Sequence, residues 1–155
     1  MTYRKLDQRD HKKLLELIRE LKAEGHDLSV YEYLANTIRL RTHLREQVFT
    51  GAFDGEKLVG MLRARIDKSH PHKCKLCMGF TEHHRGQGLA LKLFEASVES
   101  MKNAGLQVIH ALIFSDNGPS IAFARKCGFE YTGRFPLHHL REGKPVDDLI
   151  YTYYL

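Results

Sequence analysis

Hydrophobic residues near the start of the chain recur every three or four positions. They are Leu14, Leu17, Ile18 and Leu21. This spacing predicts an amphipathic helix, which Asp7 or Asp10 is suited to cap and Gly25 is suited to end. A short strand over residues 3–6 is predicted before it. Ser29 is suited to cap a second helix.

From residue 48 onward, apolar and polar residues alternate in the way that half-buried β-strands require. Strands are predicted at Val48–Phe53, Lys57–Ile66 and Lys73–Phe80. The pair Asp54-Gly55 is a strong turn signal between the first two strands. In the third strand, the even-numbered residues share one face.

The second half of the chain alternates between helical and strand patterns. A helix is predicted over Gly86–Ala104, followed by a buried strand at Val108–Phe114. A short helix follows at Asn117–Cys127. Glu130–His138 and Val146–Leu155 predict a closing hairpin.

The predicted elements follow the order β-α-α-β-β-β-α-β-α-β-β. This order indicates an α+β fold, with a mixed, mostly antiparallel sheet of about six or seven strands and four flanking helices. A chain of 155 residues has the usual size of one compact domain. No repeat, low-complexity tract or linker divides it, so we predict a single domain over residues 1–155.

Composition narrows the class of protein. Hydrophobic residues make up 43% of the chain and charged residues 28%, as in ordinary globular proteins. No apolar run is long enough to span a bilayer, and the first residues lack the apolar stretch of a secretory signal. The three cysteines do not suggest a secreted disulfide framework. We therefore expect a cytoplasmic protein without a membrane segment.

The net charge of +5 indicates an anionic partner. Basic residues are scattered along the chain, without the basic run or aromatic repeat of a nucleic-acid-binding module. A phosphate-rich cofactor is sufficient to explain the charge. We therefore expect no nucleic-acid partner. A nucleic-acid-binding module is a remaining alternative, but only the positive charge supports it.

The segment Arg85-Gly86-Gln87-Gly88-Leu89-Ala90 follows a predicted strand and opens a predicted helix. Its glycines lack Cβ atoms, which allows a tight turn and a close approach to a ligand. Free N–H groups and the positive end of the helix dipole favour an anion there, and Arg85 adds a charge suited to phosphate. The segment predicts a diphosphate-binding turn. The alternative is an ordinary glycine-containing turn between a strand and a helix.

Two motifs resemble those of the GNAT superfamily of acyl-CoA-dependent N-acyltransferases. Arg85-x-x-Gly88-x-Ala90 is similar to the family's Arg/Gln-x-x-Gly-x-Gly/Ala signature. Asn117-x-x-Ser120, followed by a short helix and Gly128-Phe129, resembles the second signature. The predicted element order also agrees with the family over the whole chain.

The resemblance implies an enzyme that transfers an acetyl group from its cosubstrate acetyl-CoA to a primary amine, by direct attack in a ternary complex. Backbone groups of Met78-Gly79-Phe80 would bind the pantetheine arm, and the Phe80 N–H would stabilise the oxyanion. The backbone of Arg85–Ala90 would hold the diphosphate. Asn117 and Ser120 would also contact the cofactor.

The chain departs from the family at the position seven residues after Asn117. Many members have a tyrosine there that protonates the leaving thiolate, whereas this chain has Ala124. The candidates for a substitute acid are Tyr131, which we place first, Tyr33, Cys127 and a water molecule.

The candidate general bases follow the strand that should carry the thioester. They are Glu82, His83 and His84. Histidine titrates near neutrality, but polar residues in a loop before a helix are usually solvated or cap the helix by charge. Among the three we favour Glu82.

By resemblance, the acceptor should contact the first two helices and the final hairpin. The candidate wall residues are Tyr31, Tyr33, His138, His139 and Arg141. A cationic rim around Arg141 favours a carboxylate-bearing amine over a polyamine. The sequence does not distinguish a small-molecule amine from a peptide or protein amine, and it leaves a homodimer open.

Two further alternatives concern metal binding and the loss of catalysis. His70-x-His72-x-Cys74-x-x-Cys77 contains zinc-ligand residue types at a common spacing. Residues three apart on a strand point to opposite faces, so Cys74 and Cys77 cannot share an ion if that strand forms. We therefore expect no metal. A non-catalytic CoA-binding or regulatory domain is the other alternative, and Ala124 is the feature in its favour, but enzymes of this type often lack the tyrosine.

Overall fold

The computed structural model describes residues 1–25 and 37–155, with only the backbone of Thr37. The strands are β1 (Thr2–Lys5), β2 (Val48–Asp54), β3 (Lys57–Ile66), β4 (Lys73–Phe80), β5 (Val108–Phe114), β6 (Glu130–Arg141) and β7 (Lys144–Tyr154). The helices are α1 (His11–Ala23), α2 (Thr37–Glu46), α3 (Leu89–Asn103) and α4 (Gly118–Lys126). None of these helices has the length and hydrophobicity of a membrane span.

The strands form one sheet in the order β1-β2-β3-β4-β5-β7-β6. Neighbouring strands run antiparallel, except β4 and β5, which are parallel. The final hairpin folds back so that β7, rather than β6, pairs with β5. The predicted α+β fold, with its element order and its mostly antiparallel mixed sheet, is confirmed.

Helices cover both faces of this sheet. On the face of α1 and α2, Leu14 and Leu40 are fully buried together with Met61 of β3. On the face of α3 and α4, Leu93 is buried together with Leu62, the next residue of β3. Adjacent strand residues point to opposite faces, so β3 contributes to both cores. We call these two sides the α1 face and the α3 face.

The largest differences from the predicted element boundaries concern the start of α3 and the final hairpin. Helix α3 begins at Leu89 rather than Gly86, because Gly86 and Gly88 have φ angles of +73° and +72°, which a right-handed helix does not allow. The final hairpin is longer than predicted. Arg141 and Lys144 still pair across its turn, so each strand continues to the turn itself.

Candidate active site

Strands β4 and β5 separate soon after they begin. Their parallel pairing covers only Lys73–Lys75 and Val108–His110. Beyond these residues a cavity of about 490 Å³ opens between the strands, with α4 on one face and the end of α1 on the other. We call this cavity the cleft. It crosses the sheet from one face to the other.

The backbone of β4 directs polar groups into the gap. The Thr81 N–H donates to the Val59 carbonyl at 2.9 Å, and the Asp67 N–H donates to the Lys73 carbonyl at 3.1 Å. Antiparallel pairing alternates, so the odd-numbered residues of β4 bond to β3. The even-numbered residues, including Met78 and Phe80, therefore turn their N–H and C=O groups toward the gap.

This alternation divides the predicted cofactor-binding strand end Met78-Gly79-Phe80. Gly79 lies opposite Met61, and its backbone groups face β3. Met78 and Phe80 direct theirs toward β5, where the Phe80 carbonyl also accepts a hydrogen bond from Arg85 Nε. Unpaired N–H and C=O groups on a strand edge can bond to an extended ligand.

The two sides of the cleft differ in chemistry. On the α3 face it is lined by Leu76, Met78, Ala111, Ile113, Phe123 and Ala124. On the α1 face the lining includes the charged residues Glu24, Arg65, Lys75 and Arg141. The first side is suited to an apolar arm, and the second to a polar partner.

The glycine-containing turn lies between β4 and α3. A Cβ atom built on Gly86 or Gly88 would meet nothing within 4 Å. The first N–H groups of a helix have no intrahelical acceptor, and in α3 no N-cap side chain accepts from them. The turn is therefore open to solvent and suited to an anion.

The Arg85 side chain is engaged within the protein. Its Nε donates to the Phe80 carbonyl at 2.9 Å, and its Nη2 forms an ion pair with Glu24. The Glu24 carboxylate also accepts the Glu82 N–H, at 2.9 and 3.1 Å from its two oxygens. Arg85 thus links the end of α1 to the end of β4. A phosphate contact by this guanidinium stays a prediction.

Helix α4 carries three of the residues singled out in the sequence. The Asn117 Oδ1 accepts the Ser120 N–H at 3.2 Å and so caps the helix. Both residues line the cleft, as does Ala124, which is 1% exposed. The position where family members carry tyrosine therefore lies at the cleft.

A pair of cations occupies the α1 face of the cleft. Arg65 and Lys75 lie directly opposite each other on β3 and β4. Within residues 1–25 and 37–155, neither side chain has a recorded ion pair. Burial and the charges of Lys73 and Lys75 lower the pKa of His110 on the adjacent strand. Arg65 and Lys75 are like charges directly opposite each other, an arrangement that destabilises a sheet. An anion bound beside them would relieve this repulsion.

Several predicted catalytic and acceptor residues are not brought to the cleft. Glu82, His83 and His84 form a 3-10 turn outside its lining, where the His84 Nδ1 contacts the Thr81 hydroxyl at 2.8 Å. Tyr131 is 54% exposed on β6 and packs against Tyr151. The roles proposed for Glu82 and Tyr131 stay predictions.

The acceptor candidates of the sequence have different locations. His138 is exposed on β6 and does not line the cleft. His139 packs against Phe114, a lining residue. Tyr31 and Tyr33, like Ser29, lie outside the described residues.

The Cys-x-x-Cys segment is part of β4. Cys74 is buried in the core of the α3 face, whereas Cys77 packs against the core of the α1 face. The two sulfur atoms therefore lie on opposite sides of the sheet. Burial raises the pKa of Cys74 to about 12, which disfavours the thiolate that zinc requires.

Three charged lining residues carry little signal in the sequence. Glu24 lies at the C-terminal end of α1, and its only sequence signal is the Gly25 that follows it. Arg65 and Lys75 are odd-numbered residues of two adjacent strands, on the face opposite the even-numbered apolar residues. If β3 and β4 are aligned as an antiparallel hairpin from the sequence, these two residues could have been predicted to lie opposite each other.

Comparison with known proteins supports the assignment by sequence. The sequence model of the acetyltransferase (GNAT) family matches residues 11–129. The L-methionine sulfoximine/L-methionine sulfone acetyltransferase of Pseudomonas aeruginosa is 36% identical over 66 residues, which cover 43% of this chain. The match spans only 38% of that relative's length. N-alpha-acetyltransferase 30 of Schizosaccharomyces pombe is 29% identical over 124 residues, or 76% of either chain.

The fold has a close counterpart among solved structures. A GNAT-family acetyltransferase from Streptococcus pneumoniae superposes with a TM-score of 0.88. The superposition covers 99% of both chains, at 19% sequence identity. At that identity the likeness concerns the fold.

Proposed function

This chain belongs to the acetyltransferase (GNAT) family, and we propose that it transfers the acetyl group of acetyl-CoA to the primary amine of a small carboxylate-bearing acceptor. The observation that carries the proposal is the cleft. A gap between parallel strands, lined by strand N–H and C=O groups, opens beside Arg85, which precedes the glycine-containing turn and the uncapped N-terminus of α3. That combination suits a long ligand with an amide arm and a diphosphate.

The backbone groups of Met78 and Phe80 would bind the pantetheine arm. The turn at Gly86 and Gly88 would bind the diphosphate, since its N–H groups lack a capping side chain. The thioester would then lie inside the cleft, between the α3 face and the α1 face of the sheet. There the Phe80 N–H is the candidate donor to the developing oxyanion.

The acceptor would approach from the α1 face. Arg65 and Lys75 would bind its carboxylate, which leaves its amine free to attack the thioester. The Pseudomonas relative supports this substrate class, because L-methionine sulfone carries an amine beside a carboxylate. Amines of peptides and proteins are the competing class.

The sequence supports further proposals about the domain, the location and the partners of the protein. We place the activity in one domain over residues 1–155, in the cytoplasm, without a metal ion or nucleic acid. The chain acts as a monomer or as a homodimer.

Acetyl-CoA is expected to raise the melting temperature, because a ligand of the native state stabilises it by mass action. At 100 times the dissociation constant the gain is about 2.7 kcal/mol, or about 5–10 °C for a domain of this size. Desulfo-CoA should act nearly as well, since the phosphates provide much of the binding. Thermal unfolding with each ligand measures this, and no shift at millimolar acetyl-CoA would contradict the proposal.

Release of free CoA tests the chemistry. The amines to compare are L-methionine sulfone, its carboxamide, a polyamine and short peptides with free N-termini. We expect the largest kcat/KM for the free amino acid. A thermal shift without turnover on any amine would instead favour a non-catalytic CoA-binding domain.

A tyrosine at position 124 is expected to increase the rate. Ala124 lines the cleft, so Ala124→Tyr would bring a phenol to the place where family members carry one. The gain is at most about 10²–10⁴-fold, the range of general acids, and smaller if thiolate departure does not limit the rate. Overpacking of the helix can cost about 1–3 kcal/mol, so kcat and the free energy of unfolding should be measured together.

Tyr131→Phe in the parent is the control for this substitution. Tyr131 is half exposed and does not line the cleft, so removal of its hydroxyl should leave kcat within about twofold, as for most surface changes. A large loss there, without a gain from Ala124→Tyr, would identify Tyr131 as the acid.

A further inference from the structure

His139 and Asp148 form a hydrogen-bonded pair across the final hairpin. The His139 Nδ1 lies 2.9 Å from the Asp148 Oδ1. The Asp148 residue is 3% exposed, whereas the His139 side chain is 46% exposed. An ionised carboxylate only accepts hydrogen bonds, so Nδ1 carries the hydrogen in the neutral ring. The lone pair is then on Nε2, the nitrogen free to accept a proton.

The pair lies on the α1 face, beside the cleft. Asp148 is directly opposite Phe114 in the pairing of β5 and β7, so both side chains point to that face. The His139 ring packs against the Phe114 ring, with centroids 5.2 Å apart. Phe114 and Arg141, which stacks on it at 4.7 Å, both line the cleft. The pair is therefore adjacent to the lining of the cleft on its charged side.

The partners of the buried Asp148 carboxylate indicate its role. Burying a carboxylate is costly unless it is paired. Within the described part of the chain, the only recorded ion-pair partner of Asp148 is His139. The Arg134 guanidinium and the Leu137 N–H instead bind the adjacent Asp147.

An irregularity in β6 sets the position of His139. The pairing of β6 with β7 shifts between Phe135 and His139, and Leu137 within that shift has a φ of +47°. This conformation is strained for leucine, and such strain clusters at functional sites. Bulges re-aim side chains in the same way. Without the shift, the register of His139 would differ and the bond to Asp148 would not form.

We propose that His139 is the general base that accepts a proton from the acceptor ammonium, and that Asp148 is its positioning residue. The proposal rests on the proposed transferase activity. His139 Nε2 takes one proton from R–NH₃⁺, and Asp148 stabilises the resulting imidazolium. The neutral amine attacks the thioester carbon, the C–N bond forms, and the C–S bond breaks. The second proton passes from nitrogen to the departing thiolate, and His139 returns its proton to solvent.

The charges around His139 are compatible with this role. On β6 its neighbours are His138, with ring centroids 4.8 Å apart, and Arg141. Arg141 is paired with Asp116 in the loop after β5, at 2.5 Å. On β7 the facing charge is Asp148. Among the described residues, the charged group that bonds to the ring is thus the Asp148 carboxylate, which favours its protonation.

The test is the pH dependence of His139→Gln at saturating acetyl-CoA. We expect kcat/KM for L-methionine sulfone to fall by about 10²-fold at pH 7, at the lower end for general bases. The loss should shrink to within about threefold once the pH exceeds the pKa of the acceptor amine, because solvent then supplies the neutral amine. Asp148→Asn should give a smaller loss with the same trend.

His110→Gln is the matched control. His110 of β5 lies on the same face of the sheet as His139, but its Nδ1 bonds to the Thr152 hydroxyl at 3.1 Å and not to a carboxylate. Its kcat/KM should stay within about twofold of the parent at every pH, as for most substitutions outside a site. The acetyl-CoA thermal shift should be unchanged in all three variants.

Two outcomes would overturn the proposal. A loss in His139→Gln that is the same at every pH would indicate a structural role, and an unchanged rate would indicate no role. Both require a parent that turns over. If the parent binds acetyl-CoA but acetylates no amine, the transferase function itself fails, and that result is separate from the test of His139.

Discussion

Replacing Gly88 by valine is expected to weaken acetyl-CoA binding by at least about 100-fold. Gly88 has a φ of +72°, which a β-branched residue rarely adopts. Valine would either shift the turn or place its methyl groups in the open space where a diphosphate would lie. Loss of two hydrogen bonds to a charged group, at about 1.5 kcal/mol or more each, accounts for the expected decrease.

Gly105→Val is the control with a matched backbone. Gly105 follows the other end of α3, has a φ of +79° and also faces open space. Both variants should lose similar stability, of about 1–3 kcal/mol for such strain. Only Gly88→Val should lose affinity, measured by calorimetry on the folded protein. Normal binding by Gly88→Val would move the phosphate site away from this turn.

Removing the cation pair of the cleft is expected to reduce kcat/KM for carboxylate-bearing amines. Charged hydrogen bonds are worth about 1.5–3 kcal/mol, so Arg65→Gln and Lys75→Gln should each cost about tenfold or more. The double variant should lose about 100-fold, mainly through KM, since the carboxylate is bound in both ground and transition states. Steady-state kinetics with L-methionine sulfone measures the effect.

Two controls separate carboxylate binding from general charge. Lys73→Gln removes a cation on the same face of β4, outside the cleft lining, and should change kcat/KM little. The carboxamide of the same amino acid has no anion to bind, so its kcat/KM should be nearly unaffected by the double variant. Equal losses for acid and amide would mean that the cations bind the cofactor or stabilise the fold.

Local patterns in the sequence were sufficient for most of the fold. Strands β3, β4 and β5 begin and end where alternation predicts, because that alternation reflects burial on a sheet. Helix α1 likewise buries its predicted apolar face. Helix α3 begins later than predicted, because Gly86 and Gly88 adopt positive φ angles. Glycine permits such angles but does not require them, so residue type alone did not predict where the helix begins.

The cofactor side of the site was also accessible from the sequence. The segment from Arg85 to Ala90 and the capping pair Asn117 and Ser120 are local motifs, and of these residues Arg85, Asn117 and Ser120 line the gap between β4 and β5. The position of Ala124 at the cleft follows from the same motif. These residues depend on contacts between near neighbours in the chain.

The sequence by itself determined the family, the order of elements and the glycine-containing turn after β4, since each depends on residues close together along the chain. Only the tertiary structure decided which side chains meet across the sheet. Glu24 meets Arg85 through the docking of α1, Arg65 meets Lys75 through strand register, and His139 meets Asp148 through a bulge. A shift of register by one residue would turn each strand residue to the opposite face. That dependence explains why the acceptor side was not evident from residue types and spacing.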